Sequence, residues 1–171
     1  MVHRWMGMVA VAAIALACQP AAAQPAPHVR GESAQATALL ADGAKRSPTI
    51  RGLVTGFEGS DVFVFIDIDR PSGLLRGRTT LLGASAAGRY LHVLVRFQVD
   101  PDRQVEMLAH ELQHCAEIMR APEVRDAAAL GVYMARIGTR IGGPRDFETD
   151  AAVAIEFVVG RELTISARRP E

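Results

Sequence analysis

Residues 110–114 of this chain read His-Glu-Leu-Gln-His, and this stretch is the best guide to both its fold and its chemistry. On a helix, His110 and His114 lie one turn apart on the same face, so both imidazoles can reach a single metal ion. Glu111 points about a quarter-turn away, toward a water on the metal rather than toward the metal itself. The pattern therefore predicts a zinc-dependent hydrolase. The alternative is a polar helix flank that carries two histidines by chance.

The helix that carries this motif is predicted to begin after Asp100 and to end near Arg120. Asp100 is a good N-cap residue, and Pro101 suits the first helical position. One side of the helix is an apolar arc of Val105, Leu108, Leu112, Cys115, Ala116 and Met119. Both histidines fall outside this arc, as in the wall of a cleft, which favours a metal site over core histidines. Cys115 lies inside the arc, which favours a buried small hydrophobe over a ligand or nucleophile.

The rest of the pattern indicates an α+β domain, with strands before the motif and helices on both sides of it. Strands are predicted at 61–69, 76–83 and 89–98, and further helices at 33–46, 122–137 and 146–163. The dipeptide Ser47-Pro48 is expected to end the first helix, with a Gly-rich segment over 52–60 and a turn at 71–73. In the strand 89–98, apolar and more polar residues alternate in part, which predicts one open sheet face.

The N-terminus has the pattern of a secretory signal peptide over residues 1–23: a basic start, an apolar run and small residues before Gln24. An alternative uses Cys18 as a lipid-attachment cysteine. Residues 24–32 are predicted to form a flexible leader and 33–171 a single domain. We therefore expect an exported protein, periplasmic or secreted, or in the alternative a membrane-anchored lipoprotein.

Composition restricts the expected partners. The chain has 19 basic and 19 acidic residues, so nucleic acid and acidic membrane surfaces are poor candidates. Removal of the signal peptide would leave Cys115 as the one cysteine, which excludes an intramolecular disulfide in the mature chain.

A catalytic zinc site needs three protein ligands and one position for water. No histidine follows His114, so the third ligand is expected to be one of the carboxylates Glu117, Glu148, Asp150 and Glu156. Three ligands in line on one helix cannot close around an ion, so we expect Glu117 to lie behind a ligand or in solvent. Glu148 is the favoured ligand, because it is predicted to lie in the first turn of the last helix among small apolar residues. The alternative is that Glu148 only stabilises the positive end of that helix.

Three strands, a helix with His-Glu-x-x-His, a backing helix and a helix carrying Glu148 resemble the zincin metallopeptidases, over about residues 61–163. Within them the chain is most similar to the small single-domain gluzincins. The metzincin pattern fails, because it needs glycine and histidine where this chain has Glu117 and Arg120. Gluzincins commonly carry an aspartate four residues after the ligand glutamate. Here that position is Ala152, and the nearest acid is Asp150.

The resemblance implies a Zn²⁺ ion held by His110, His114 and Glu148, with Glu111 as general base toward a zinc-bound water that attacks a peptide bond. It also implies a peptide or protein substrate that lies as an added strand along 76–83 or 89–98. Candidates for stabilising the oxyanion are Tyr90, His92 and Tyr133. A non-catalytic metal-binding or scaffold protein with the same fold is the alternative function.

Overall fold

The computed structural model describes residues 26–69, 77–143 and 146–168. They form an α+β fold with five helices, a mixed four-stranded sheet and a separate two-stranded sheet. The predicted signal peptide, Cys18 and the turn at 71–73 lie outside the described residues. Within those residues, no helix is long and apolar enough to cross a membrane.

The main sheet consists of β1 (Val29–Gly31), β2 (Val62–Asp69), β3 (Gly77–Ser85) and β4 (Gly88–Arg96), in the order β1-β2-β4-β3. Strands β1, β2 and β4 run parallel, and β3 is antiparallel to β4 at the edge of the sheet. The prediction of three strands is wrong, because residues 29–31 of the expected flexible leader pair with β2 as a fourth. So short a strand is defined by its partner rather than by its own sequence pattern.

The helices are α1 (Ala34–Arg46), α2 (Pro48–Phe57), α3 (Pro101–Met119), α4 (Ala127–Ile137) and α5 (Asp150–Ala167). Helix α2 was not predicted, and residues 48–57 are not a Gly-rich loop. The Ser47 hydroxyl accepts a hydrogen bond from the Ile50 N–H, and Pro48 occupies the first turn, so the helix begins as α3 does. Gly52 and Gly56 face open space and do not interrupt it.

Helices α4 and α5 both begin later than predicted. Their N-caps are Asp126 and Thr149, rather than residues near Pro122 and Asp146. Residues 139–140 and 147–148 form the short strands β5 (Thr139–Arg140) and β6 (Phe147–Glu148), which pair antiparallel. The prediction that Glu148 lies in the first turn of α5 is therefore wrong. Asp146 accepts from the Gly143 N–H in the β5–β6 turn instead of capping the helix.

The core lies between one face of the sheet and the helices α1 and α3. The inward residues of the two central strands are fully buried: Val62, Val64, Ile66, Leu91, Val93 and Val95. The alternation predicted for β4 is thus confirmed, with Tyr90, His92 and Leu94 directed to the other, more open face. Cys115 is fully buried and free, as predicted.

One buried cation ties this sheet to the end of α3. The guanidinium of Arg89, on β4, is fully buried and donates to both carboxylate oxygens of Asp61 at 2.8 and 2.9 Å. It also donates to the carbonyls of Ile118 and Ala121, both at 2.7 Å, and of Met119 at 3.0 Å. Arg89 thus adds side-chain hydrogen bonds at the C-terminus of α3, where the carbonyls of Ile118 and Ala121 also accept from the backbone N–H groups of Ala121 and Val124.

Candidate metal centre

Three side chains from two parts of the chain converge at the middle of α3. The Oε1 atom of Glu148 lies 3.1 Å from Nε2 of His110 and 3.6 Å from Nε2 of His114. One potential ligand atom from each residue lies within 4.8 Å of the others. The structure therefore brings together the three residues that the sequence indicated as metal ligands, although Glu148 comes from β6.

The donor set fits a zinc ion. Two imidazole nitrogens and a carboxylate oxygen are the usual protein ligands of a catalytic zinc, with bonds of about 2.0–2.2 Å. Tetrahedral ligands at that distance are separated by roughly 3.3–3.5 Å. The two distances from Glu148 to the histidines lie close to this range. Both histidines present Nε2 to the same carboxylate oxygen, and the ligand atoms of the group lie within 4.8 Å of one another, so the widest pair would move closer together on binding an ion.

A carboxylate stands behind each histidine ring. Oε2 of Glu117 lies 3.0 Å from Nδ1 of His114, and Oε1 of Glu156 lies 2.6 Å from Nδ1 of His110. Carboxylates in these positions fix the ring orientation and make Nε2, the nitrogen that faces Glu148, more basic.

These contacts set the protonation of the cluster. Burial alone would lower the pKa of both histidines, but Glu148 and Glu156 raise the pKa of His110 to about 10. Glu117 and Glu148 likewise overcome burial and raise the pKa of His114 to about 9. Against the effect of its own burial, hydrogen bonds from both histidines lower the pKa of Glu148 to about 2. In the absence of metal the cluster is thus a set of ion pairs, whose two imidazole protons a divalent cation would displace.

Glu111 lies beside this cluster against the edge strand. The Thr79 hydroxyl donates to its Oε2 at 2.8 Å. Burial raises the pKa of Glu111, opposed by His114 and by the Thr79 hydrogen bond. The β3 backbone approaches so closely at Gly77 that a Cβ atom there would overlap the Glu111 carboxylate. The absence of a side chain at Gly77 therefore provides the space that the Glu111 carboxylate occupies.

The cluster opens into a cleft of about 840 Å³. Residues 77–81 of β3 form one wall, and α4 with the β5–β6 hairpin contributes to the others. Of the two strands considered as the edge, β3 is the edge strand, and β4 lies between β2 and β3. The cleft wall is apolar around Leu130 and Met134 of α4, whereas the carboxylates cluster around the histidines.

Not every predicted site residue reaches the cleft. Tyr90 stacks on Phe63 and His92 lies 3.9 Å from Glu32, so both are on the outer sheet face, away from the cluster. Tyr133 donates to the backbone carbonyl of Glu117. None of the three is among the described residues that line the cleft, and because Tyr90 and His92 lie on the opposite face of the sheet, the expectation for these two is wrong. Asp150 is exposed on the first turn of α5.

Sequence reasoning missed Thr149 and considered Glu156 only as a possible third ligand, not as a partner of His110. Thr149 donates to Oε1 of Glu117 at 2.8 Å, and Glu156 approaches His110 from two turns along α5. Glu156 lies eight residues after Glu148 and one turn beyond Ala152. The sequence signal for this role would have been an acid eight residues after Glu148, on the same face of the helix that follows it.

No family model, curated protein or solved structure matches this chain.

Proposed function

We propose that this protein is an exported zinc-dependent metallopeptidase with a zincin-like fold. The observation that carries the proposal is the convergence of His110, His114 and Glu148 on one point of a cleft, with Glu111 beside them. The edge strand β3, antiparallel to its neighbour and lying along the helix with the motif, supports the zincin-like assignment. The N-terminal pattern of residues 1–23 supports export.

His110, His114 and Glu148 would hold the ion, and a fourth position would stay open toward the cleft. When bound, zinc would lower the pKa of a water molecule and polarise the carbonyl that this water attacks. Glu117 and Glu156 keep the two rings turned with Nε2 toward the ion.

Glu111 is the proton carrier of the proposed reaction. Its carboxylate would take a proton from the attacking water and deliver that proton to the amine as the peptide bond breaks. The Thr79 hydroxyl donates to Oε2 of Glu111, and Oε1 lies beside Gly77. The substrate would lie in extended form along the free edge of β3, hydrogen-bonded to its backbone.

Metal content and peptide hydrolysis test the proposal together. Purified protein is expected to contain zinc and to cleave members of a mixed peptide library, with activity lost to a chelator and restored by zinc. The variant Glu148→Ala removes one of three ligands and should weaken zinc binding by more than the roughly 10–100-fold typical of residues behind a ligand. The matched control is Asp150→Ala, an exposed acid two residues away, which should bind zinc as wild type does.

The outcomes separate the candidate functions. Zinc binding without cleavage of any peptide would favour a non-catalytic metal-binding protein. Absence of zinc binding at neutral pH would contradict both the metallopeptidase and the non-catalytic metal-binding protein.

Replacing Gly77 with alanine should impair turnover without removing the metal. The new methyl group would overlap the Glu111 carboxylate and displace it. Displacements of about 1 Å near reacting groups can lower rates by about 10²-fold, so kcat/KM should fall on that order while zinc content is unchanged. Gly83→Ala on the same strand is the control, because a Cβ there meets open space. Equal effects of the two substitutions would show that strand conformation, rather than the overlap with Glu111, is responsible.

A further inference from the structure

Thr149 is buried at the junction of β6 and α5, between the third ligand and the last helix. Its hydroxyl makes two hydrogen bonds, one as acceptor and one as donor. The hydroxyl oxygen accepts from the Ala152 N–H at 3.1 Å, which caps α5, and the hydroxyl hydrogen is donated to Oε1 of Glu117 at 2.8 Å. In addition, the backbone N–H of Thr149 donates to Oε1 of Glu148 at 3.1 Å.

Two of these bonds lead to metal ligands. The second oxygen of Glu117 lies 3.0 Å from Nδ1 of His114, so the chain Thr149–Glu117–His114 fixes one ring. The backbone bond to Glu148 fixes the carboxylate that lies between the two rings. Glu117 and His114 belong to α3, whereas Thr149 and Glu148 precede α5. A single residue therefore holds ligands from both segments.

We propose that Thr149 is a positioning residue of the metal centre, which sets the geometry of His114 through Glu117 and of Glu148 through its own backbone. This inference rests on the proposed zinc site. Partners behind metal ligands typically change metal affinity by about 10–100-fold when they are removed. The same hydroxyl also caps a helix, so the experiment must separate positioning from capping.

Substitutions at position 149 make this separation. Thr149→Val keeps the shape and removes both side-chain hydrogen bonds, whereas Thr149→Ser keeps both. Thr149→Asn also keeps both, because its amide can accept from Ala152 and donate to Glu117. Ser33→Ala is the control for loss of a cap alone, since the Ser33 hydroxyl caps α1 and accepts from the Ala36 N–H.

Zinc affinity, measured by competition with a chromophoric chelator, and the unfolding midpoint of the metal-free protein are the two readouts. Thr149→Val is expected to bind zinc about 10–100-fold more weakly than wild type. Thr149→Ser and Thr149→Asn should rescue most of this loss. Ser33→Ala should lower the unfolding midpoint without changing zinc affinity. Wild-type affinity in Thr149→Val would overturn the inference and leave the proposed function intact, whereas absence of zinc from wild type would contradict the proposed function itself.

A double-mutant cycle with Glu117→Ala tests the route of the effect. If Thr149 acts on His114 through Glu117, adding Thr149→Val to Glu117→Ala should weaken zinc binding much less than Thr149→Val does alone. If the two residues acted independently, the fold-losses of zinc affinity in the two single variants would multiply in the double variant. That outcome would contradict the route through Glu117. The zinc content of the Glu117→Ala protein is measured first, so that both steps of the cycle refer to a metal-binding protein.

Discussion

Replacing Glu111 with glutamine is expected to lower kcat/KM for peptide hydrolysis by about 10²–10⁴-fold, the usual contribution of a general acid–base group. The amide has the shape of the carboxylate, so it fits the space beside Gly77. It can still accept from the Thr79 hydroxyl, which now donates to Oε2 of Glu111 at 2.8 Å. It cannot take a proton from water, so turnover should fall while the site stays assembled.

Zinc content and kinetic constants, measured on the same preparation of Glu111→Gln, check this expectation. Zinc should remain bound, because Glu111 is not among the three converging ligands. Glu123→Gln is a control, since this acid is exposed and its carboxylate contacts Arg136 at 3.5 Å. Unchanged hydrolysis in Glu111→Gln would refute its role as the proton carrier. Loss of zinc together with activity would instead show that Glu111 contributes to metal binding.

Replacing Arg89 with methionine is expected to lower the free energy of unfolding by about 1–3 kcal/mol, the range for removing a hydrogen-bonding partner from buried polar groups, because the half-exposed Asp61 can be solvated by water. Methionine fills much of the volume, but Asp61 and three carbonyls at the end of α3 lose their hydrogen bonds from Arg89, and of these carbonyls those of Ile118 and Ala121 keep a backbone donor. Urea unfolding at neutral pH measures the change. Helix α3 should fray at its C-terminus, so the metal-free variant should also show reduced protection of amides near Ile118 in hydrogen exchange.

Arg125 provides the matched control for this substitution. It lies 3.9 Å from the same Asp61 carboxylate but is about half exposed, and exposed pairs contribute about 0–1 kcal/mol. Arg125→Met should therefore unfold close to wild type. The hydrogen bond from Arg89 lowers the pKa of Asp61, so this stabilisation is present above the ordinary pKa of an aspartate and is lost as pH falls through the lowered value. Equal losses in Arg89→Met and Arg125→Met would contradict the special role of the buried guanidinium.

Local patterns predicted the central elements of the fold well. Asp100-Pro101 and the apolar arc located α3, and the alternation in residues 89–98 located β4 with its buried face. Ser47-Pro48 carries the same combination of an N-cap residue followed by proline. Helix α2 was nevertheless not predicted, because the glycines that follow were interpreted as a Gly-rich segment. Strand order and the pairing of β1 depend on contacts between residues far apart in sequence, which no local pattern contains.

For the site, the ligand requirements of zinc predicted which residues take part, whereas the sequence pattern did not correctly predict where they lie. The need for a third ligand led to Glu148, yet its helix was predicted to begin too early, because Asp146 and Thr149 are both suitable N-caps. The roles of Glu156 and Thr149 depend on how α5 packs on α3. Arg89 was read only as a residue near the start of a strand, because its partners are mainly backbone carbonyls, which have no signature in sequence.

The three proposed ligands come from two segments of the chain, which would link metal binding to folding. His110 and His114 belong to α3, and Glu148 enters only when the hairpin and α5 dock on that helix. A site assembled from two segments binds the ion in the docked state and hardly at all in the undocked one. Zinc at free concentrations about 100 times its dissociation constant would then stabilise the docked chain by about 2.7 kcal/mol. The ion would thus have two roles: it would crosslink two segments of the fold, and it would be the centre of the proposed chemistry.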